Sequence, residues 1–164
     1  MSRLPRARVA ACLLLAAFVP VALAANAFAA LQRLTGDWQA SVGTTGRIIR
    51  LNFRAISNGS AFVETFASPS GRETLTIFHP DGSRLLATHY CAQGNQPRLA
   101  LDPDSPTNKL TFRFIDATNL RSQDDSHLVR LTLDITGDDR FDMTEVYAER
   151  GKEGATTYHF TRVK

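Results

Sequence analysis

The chain has little cysteine, one tryptophan, little helical patterning and, beyond its first segment, no excess of charge of either sign. The two cysteines are Cys12 and Cys91. Cys12 lies in the apolar opening of the chain, so a domain that starts beyond it holds Cys91 alone and cannot form an intramolecular disulfide. Such a domain must be held by its core. An unpaired thiol in an oxidising compartment is usually buried or functional, because an exposed one tends to oxidise or cross-link.

The net charge of +3 has a single source. Residues 1–29 hold Arg3, Arg6 and Arg8 and no acid, so that of 19 basic and 16 acidic side chains 16 of each lie beyond residue 29. A formally neutral domain lacks the basic footprint of a nucleic-acid binder, and no nucleic-acid partner is expected. The apolar stretch from Val9 to Ala24 is interrupted by Pro20 and falls short of the roughly 20 residues that a bilayer-spanning helix needs. With three arginines ahead of it, it has the layout of a secretory signal peptide. Small residues allow cleavage after Ala24 or after Ala29. The second is preferred because the folded pattern starts just beyond it, which makes residues 1–29 the leader and residues 30–164 the domain. The expected location is periplasmic or secreted, with no stable membrane anchor after cleavage. Val9-Ala10-Ala11-Cys12 resembles a lipoprotein acceptor box but precedes most of the apolar core, so lipidation is not expected.

What the mature segment does have is short β-branched and aromatic stretches, broken every ten or so positions by turn residues such as Ser57-Asn58-Gly59-Ser60, Pro80-Asp81-Gly82 and Gly151-Lys152-Glu153-Gly154. This spacing predicts an all-β sandwich or barrel. Ten strands are expected, over Asp37–Val42, Ile48–Ala55, Ala61–Ala67, Glu73–His79, Arg84–Ala92, Pro97–Leu101, Lys109–Asp116, Ser126–Asp134, Asp142–Ala148 and Thr156–Val163. The only helix candidate is Ala27–Leu34. Alternation turns Ile49, Leu51, Phe53, then Leu110, Phe112, Phe114, then Val129, Leu131, Leu133, Ile135 inward, and Arg50, Arg54, Arg113 and Arg130 outward. Short connections imply a meander, and closure would remove exposed strand edges. The fold class is therefore an antiparallel up-and-down β-barrel of about ten strands.

Gly36-Asp37-Trp38 opens the first of these strands and Arg162 stands near the end of the last. Together with the strand count, this resembles the calycin pattern of lipocalins and fatty-acid-binding proteins. The resemblance implies that Arg162 packs across Trp38 by a cation–π contact that closes one end of the barrel. A second string, Thr88-His89-Tyr90-Cys91-Ala92-Gln93-Gly94-Asn95-Gln96-Pro97-Arg98, is similar to one found in uncharacterised bacterial lipocalin-like proteins, which supply no activity to transfer.

That string supplies the candidate ligand-binding residues His89, Tyr90, Cys91, Asn95, Gln96 and Arg98, polar groups able to orient an otherwise apolar ligand at a barrel mouth. On a strand, His89 and Cys91 share a face and Tyr90 takes the other. His89 and Cys91 could bind a metal or form a thiolate–imidazolium pair, but two ligands do not make a zinc site and parallel side chains transfer protons poorly. The amides and Gly94 also suit a tight hairpin. Asp138, Asp139, Asp142 and Glu145 fit no calcium loop. His159 could ligate haem, yet alternation turns it away from Tyr158 and Phe160. His79 and His127, at strand ends, read as solvated, and Asn58-Gly59-Ser60 is a formal glycosylation acceptor. The expectation is a monomeric exported binding protein with no cofactor, holding a small hydrophobic ligand in its interior. An enzyme or haem or metal protein using His89 and Cys91 or His159 is one rival. A barrel filled by Phe53, Phe62, Phe66, Phe112, Phe114 and Phe141 and acting as an interaction module is another.

Overall fold

The computed structural model describes residues 19–44 and 46–164, with side chains from residue 23 onward. The basic start of the chain, Cys12 and Thr45 lie outside the described residues. Ten strands form a closed barrel in which each pairs antiparallel with its sequence neighbours and β1 pairs with β10. They are β1 Gly36–Val42, β2 Arg47–Ile56, β3 Ala61–Ala67, β4 Glu73–Asp81, β5 Arg84–Tyr90, β6 Gln96–Leu101, β7 Lys109–Thr118, β8 His127–Ile135, β9 Arg140–Glu149 and β10 Lys152–Arg162.

Each strand falls where alternation and turn chemistry place it, with one sizeable boundary difference. Lys152, Glu153 and Gly154 belong to β10, paired with Glu149, Ala148 and Tyr147. The hairpin is made by Arg150 and Gly151 alone, both at positive φ (49° and 70°). Two such residues form the tight turn whose twist matches the strands it joins, so the strand resumes four positions before the Thr156 start expected from the sequence.

A helix, α1, spans Val19–Gln32 and so begins inside the segment read as the leader. Ala24, Ala27 and Leu31 are buried at helical spacing and, with Leu34 in the turn that follows, join the barrel's core cluster. Contacts to β2, β4 and β5 place the helix across the barrel end where β1 begins and β10 finishes. Among the described residues no helix is long and apolar enough to cross a membrane.

Inward residues pack the half of the barrel nearest α1. Trp38, Phe53, Phe62, Phe78, Phe112, Phe141 and Phe160 are all fully buried. Trp38 meets Phe141 edge-on at 4.8 Å, Phe141 stacks on Phe160 at 5.0 Å and Phe53 stacks on Phe62 at 5.5 Å. These geometries add to the value of simple burial. The expected alternation breaks in β8, where Leu128 is buried and Val129 only half-buried. A register shift between Leu128 and Arg130 explains it, since a bulged residue has no partner opposite and re-aims its neighbours. Phe114 is likewise only half-buried. His127, expected to be solvated, is buried: Phe114 lies against its ring at 5.0 Å and Nδ1 is 2.7 Å from the Asp125 carbonyl.

The closing seam carries the Trp38–Arg162 pair. The two residues are directly opposite in the β1–β10 register, and the guanidinium carbon lies 4.2 Å from the tryptophan ring centre. Arg162 also donates to the carbonyls of Thr35 (2.7 Å), Arg33 (3.1 Å) and Asp138 (2.9 Å). Trp38 Nε1 donates to the Leu34 carbonyl at 2.7 Å. Gly36 has φ 125°, and a Cβ there would come within 2.9 Å of an Arg162 nitrogen, which is why the residue two before the tryptophan is a glycine.

Arg162→Ala removes a ring contact and three charge-assisted bonds, and should lower unfolding free energy by about 2–4 kcal/mol in denaturant titration. Arg162→Lys keeps the charge without the planar fork, and should recover less than half of that loss.

Candidate functional site

In an up-and-down barrel, alternate connections lie at opposite ends. The end away from α1 is formed by the β1–β2, β3–β4, β5–β6, β7–β8 and β9–β10 connections. Here the interior is open. A cavity of about 190 Å³ is lined by Phe66, Arg72, Cys91, Glu145, Tyr147 and Tyr158 among others.

Between this cavity and the aromatic floor lies a layer of buried polar groups. On β3 the inward positions Phe62, Glu64 and Phe66 follow at period two, and Glu64 is 1 % exposed. Across the sheet Glu64 is opposite Thr76 on β4, and Thr76 is opposite His89 on β5. From β9, Glu145 and Tyr147 enter the same region. The His89 Nδ1 is 3.0 Å from the Thr76 hydroxyl, and its Nε2 is 3.2 Å from the Tyr147 hydroxyl. Either tautomer of a neutral ring is satisfied by this arrangement, since both partners donate or accept. Burial pushes the ring down to about 4, which keeps it neutral near pH 7.

The two glutamates have no such provision. Glu64 Oε2 is buried without a hydrogen-bond partner. None of the ion pairs among the described residues involves either carboxylate. Burial, then the charge on Glu145, pushes Glu64 up to about 8. Burial pushes Glu145 up to about 7. The Tyr147 hydroxyl is pushed up by burial and by Glu145, so it stays protonated.

The candidate residues of the His89–Arg98 string separate into two groups. His89 and Cys91 face the interior, with Cys91 on the cavity wall. Both His89 nitrogens are engaged by hydroxyls, so neither serves the Cys91 thiol. Tyr90 is 46 % exposed on the outer face. Asn95 is buried and donates to the Ser126 carbonyl at 2.9 Å. Gln96 donates to the Gly94 carbonyl and accepts from Thr118. Arg98, on the outside, pairs with Asp116, with Nε to Oδ1 at 2.6 Å. Asn95 and Gln96 tie the β5–β6 turn to its neighbours, Arg98 bridges β6 to β7, and none of the three lines the cavity.

No protein-family model and no curated protein matches the chain.

Other sequence candidates are also placed. His159 is exposed outside the barrel, 2.8 Å from Asp142. Asp138 pairs with Arg33, Asp139 with Arg162, and Glu145 is inside, so the acidic group is dispersed. Among the described residues no group of three or more His, Cys, Asp or Glu is placed to hold a metal ion. Glu64, Thr76 and Tyr147 are not among the sequence candidates. Their signal was present: each shares a period-two face with residues such as Phe62, Phe78 and Phe141.

Proton linkage gives these groups a measurable signature. A carboxyl whose value is raised in the fold from 4.5 to about 8 contributes stability that is full below 4.5 and lost as pH rises through 8. His89 acts in the opposite sense: its stabilisation is full above 6.5 and lost as pH falls through about 4. Between 6.5 and 8 only the carboxyls act. Unfolding free energy should therefore fall by about 2 kcal/mol over that interval, one proton at about 1.36 kcal/mol per pH unit. In Glu64→Gln the fall should be at least halved, as read by thermal melts at a series of pH values.

Proposed function

We propose that this protein is a lipocalin-like binding protein, exported by a cleaved leader to the periplasm or the medium, that takes one small ligand in the open end of its barrel. The observation that carries this reading is the cavity of about 190 Å³ at the end away from α1. A dry apolar cavity of roughly 150 Å³ accepts a benzene ring, so this one suits a single ring with a short substituent. Long acyl chains are disfavoured, because Trp38 and the buried phenylalanines occupy the other half of the interior. That packing gives the filled-barrel alternative half of the molecule, and the cavity takes the rest.

The resemblance carried by Gly36, Trp38 and Arg162 supports a lipocalin-like assignment through the closing contact they form. Of the two leader junctions, the one after Ala24 is favoured over the one after Ala29. It keeps the fully buried Ala27 on the mature chain, whereas Ala30, Leu31 and Leu34 are kept by either junction. An enzyme built on His89 and Cys91 has less support, since the imidazole is neutral and fully hydrogen-bonded.

Native mass spectrometry of the protein from its own host, set against the denatured mass of the same sample, tests this reading. A reproducible excess mass of a small organic molecule is expected, on a polypeptide starting at Ala25. A bare polypeptide mass after gentle purification would count against a resident ligand, and an intact leader would remove the export proposal.

A further inference from the structure

We propose that the cavity selects a small organic cation: an ammonium group carried on a body about the size of one aromatic ring. The inference rests on the end cavity being a binding site and goes on to name the charge and size of what it takes.

Two acidic side chains reach the same interior layer from opposite strands of the sequence. Glu64 comes from β3 and is 1 % exposed; Glu145 comes from β9, is 9 % exposed and lines the cavity. The orphaned Glu64 Oε2 is the second, independent sign. A carboxyl oxygen buried without a partner costs free energy that a donor arriving with the ligand would recover. The surroundings do not supply that donor. Glu64 has Phe53 and Thr76 opposite it, and Glu145 has Leu131 and Thr156. His89 is neutral and satisfied on both nitrogens. The Cys91 thiol, the Tyr147 and Tyr158 hydroxyls and the Arg72 guanidinium at the rim are the remaining titratable groups at the cavity.

The walls match the same ligand. Phe66 and Tyr158 meet at 5.5 Å beside the cavity, and Tyr147 lines it from β9. Aromatic faces attract a cation electrostatically, more so when water is excluded. Among the described residues that line the cavity, Arg72 is the one basic side chain, exposed on the β3–β4 connection at the rim. It marks the competing possibility, an acidic ligand held at the mouth.

Benzylamine, benzyl alcohol and benzoate share one ring and differ in charge. The purified protein would be titrated with each at pH 8 and followed by amide chemical-shift changes. Benzylamine should bind at least tenfold tighter than benzyl alcohol, and benzoate no tighter than the alcohol. In Glu145→Gln, and separately in Glu64→Gln, the preference for the amine should fall below threefold, while benzyl alcohol still binds. For phenyltrimethylammonium, whose charge does not titrate, affinity should rise from pH 6 to pH 8.5 as the carboxyls ionise. Equal binding of amine and alcohol, or a flat pH profile, overturns the cation assignment and leaves the binding site standing. Tightest binding of benzoate overturns it in favour of Arg72. Absence of shifts with all three probes overturns the binding site itself.

Discussion

The guanidinium of Arg162 over the ring of Trp38 is the contact on which the rest of the molecule depends. A ten-strand meander has one seam that joins the two ends of the chain, and closing the longest loop costs the most entropy. Here the seam is also short: only Trp38–Arg162 and Gln39–Thr161 pair across it, whereas β9 and β10 pair over ten positions. Arg162 reinforces it from both sides. Its donors reach the carbonyls of Arg33 and Thr35 before β1 and of Asp138 in the β8–β9 turn, so a single side chain fastens three segments. With the seam shut, the interior is cut off from water at that end. The raised carboxyls and the depressed imidazole follow from this, because desolvation is the first cause of each shift.

Inside the closed barrel the chemistry changes at one level on four strands. Along β3 the inward residues run Phe62, Glu64, Phe66, and along β4 they run Phe78, Thr76, Thr74. Along β5 they run Leu85, Ala87, His89, with Cys91 just beyond the strand's end, and along β9 Phe141, Met143, Glu145, Tyr147. Two residues of strand advance about 6.6 Å, so each strand passes from packed floor to polar layer to cavity wall within a few steps. This layering reconciles the two readings of the interior that the sequence left open. Phe53, Phe62, Phe112 and Phe141 fill the half nearest α1, as a solid barrel requires, and Phe66 stands on the wall of the open half.

All ten strands were legible, because alternation and turn residues act locally and a single face must be apolar. The misses have local causes too. Arg150 takes a left-handed conformation that its side chain does not advertise, so the β9–β10 hairpin looked wider than it is. Val129 sits in a bulge set by the pairing partner, which no property of β8 alone reveals. The site was less legible than the fold. Polar residues in the Gln93–Arg98 turn drew attention because they cluster in sequence, yet turns concentrate amides for their own hydrogen bonds. Glu64 and Glu145 are isolated among apolar neighbours and come together only when β3 and β9 face each other inside the barrel. Both lie on the period-two faces of apolar residues, Glu64 one step beyond Phe62 and Glu145 two steps beyond Phe141.

The polar layer holds two kinds of buried group, and the difference bears on what it is for. His89, Thr76 and Tyr147 form a closed set in which each hydroxyl meets a ring nitrogen, an arrangement that rigidifies without needing anything further. Glu64 and Glu145 are the opposite case. Buried acids oppose folding, Glu64 the more so because its Oε2 has no partner, and an apolar residue of similar volume at either position would serve the barrel as well or better. Folding alone therefore accounts for the histidine network and leaves the acids unexplained. A cation entering from the open end would turn that deficit into affinity, because the carboxyls are already partly desolvated and held in place before it arrives, and charge in a partly enclosed site attracts more strongly than the same charge in water.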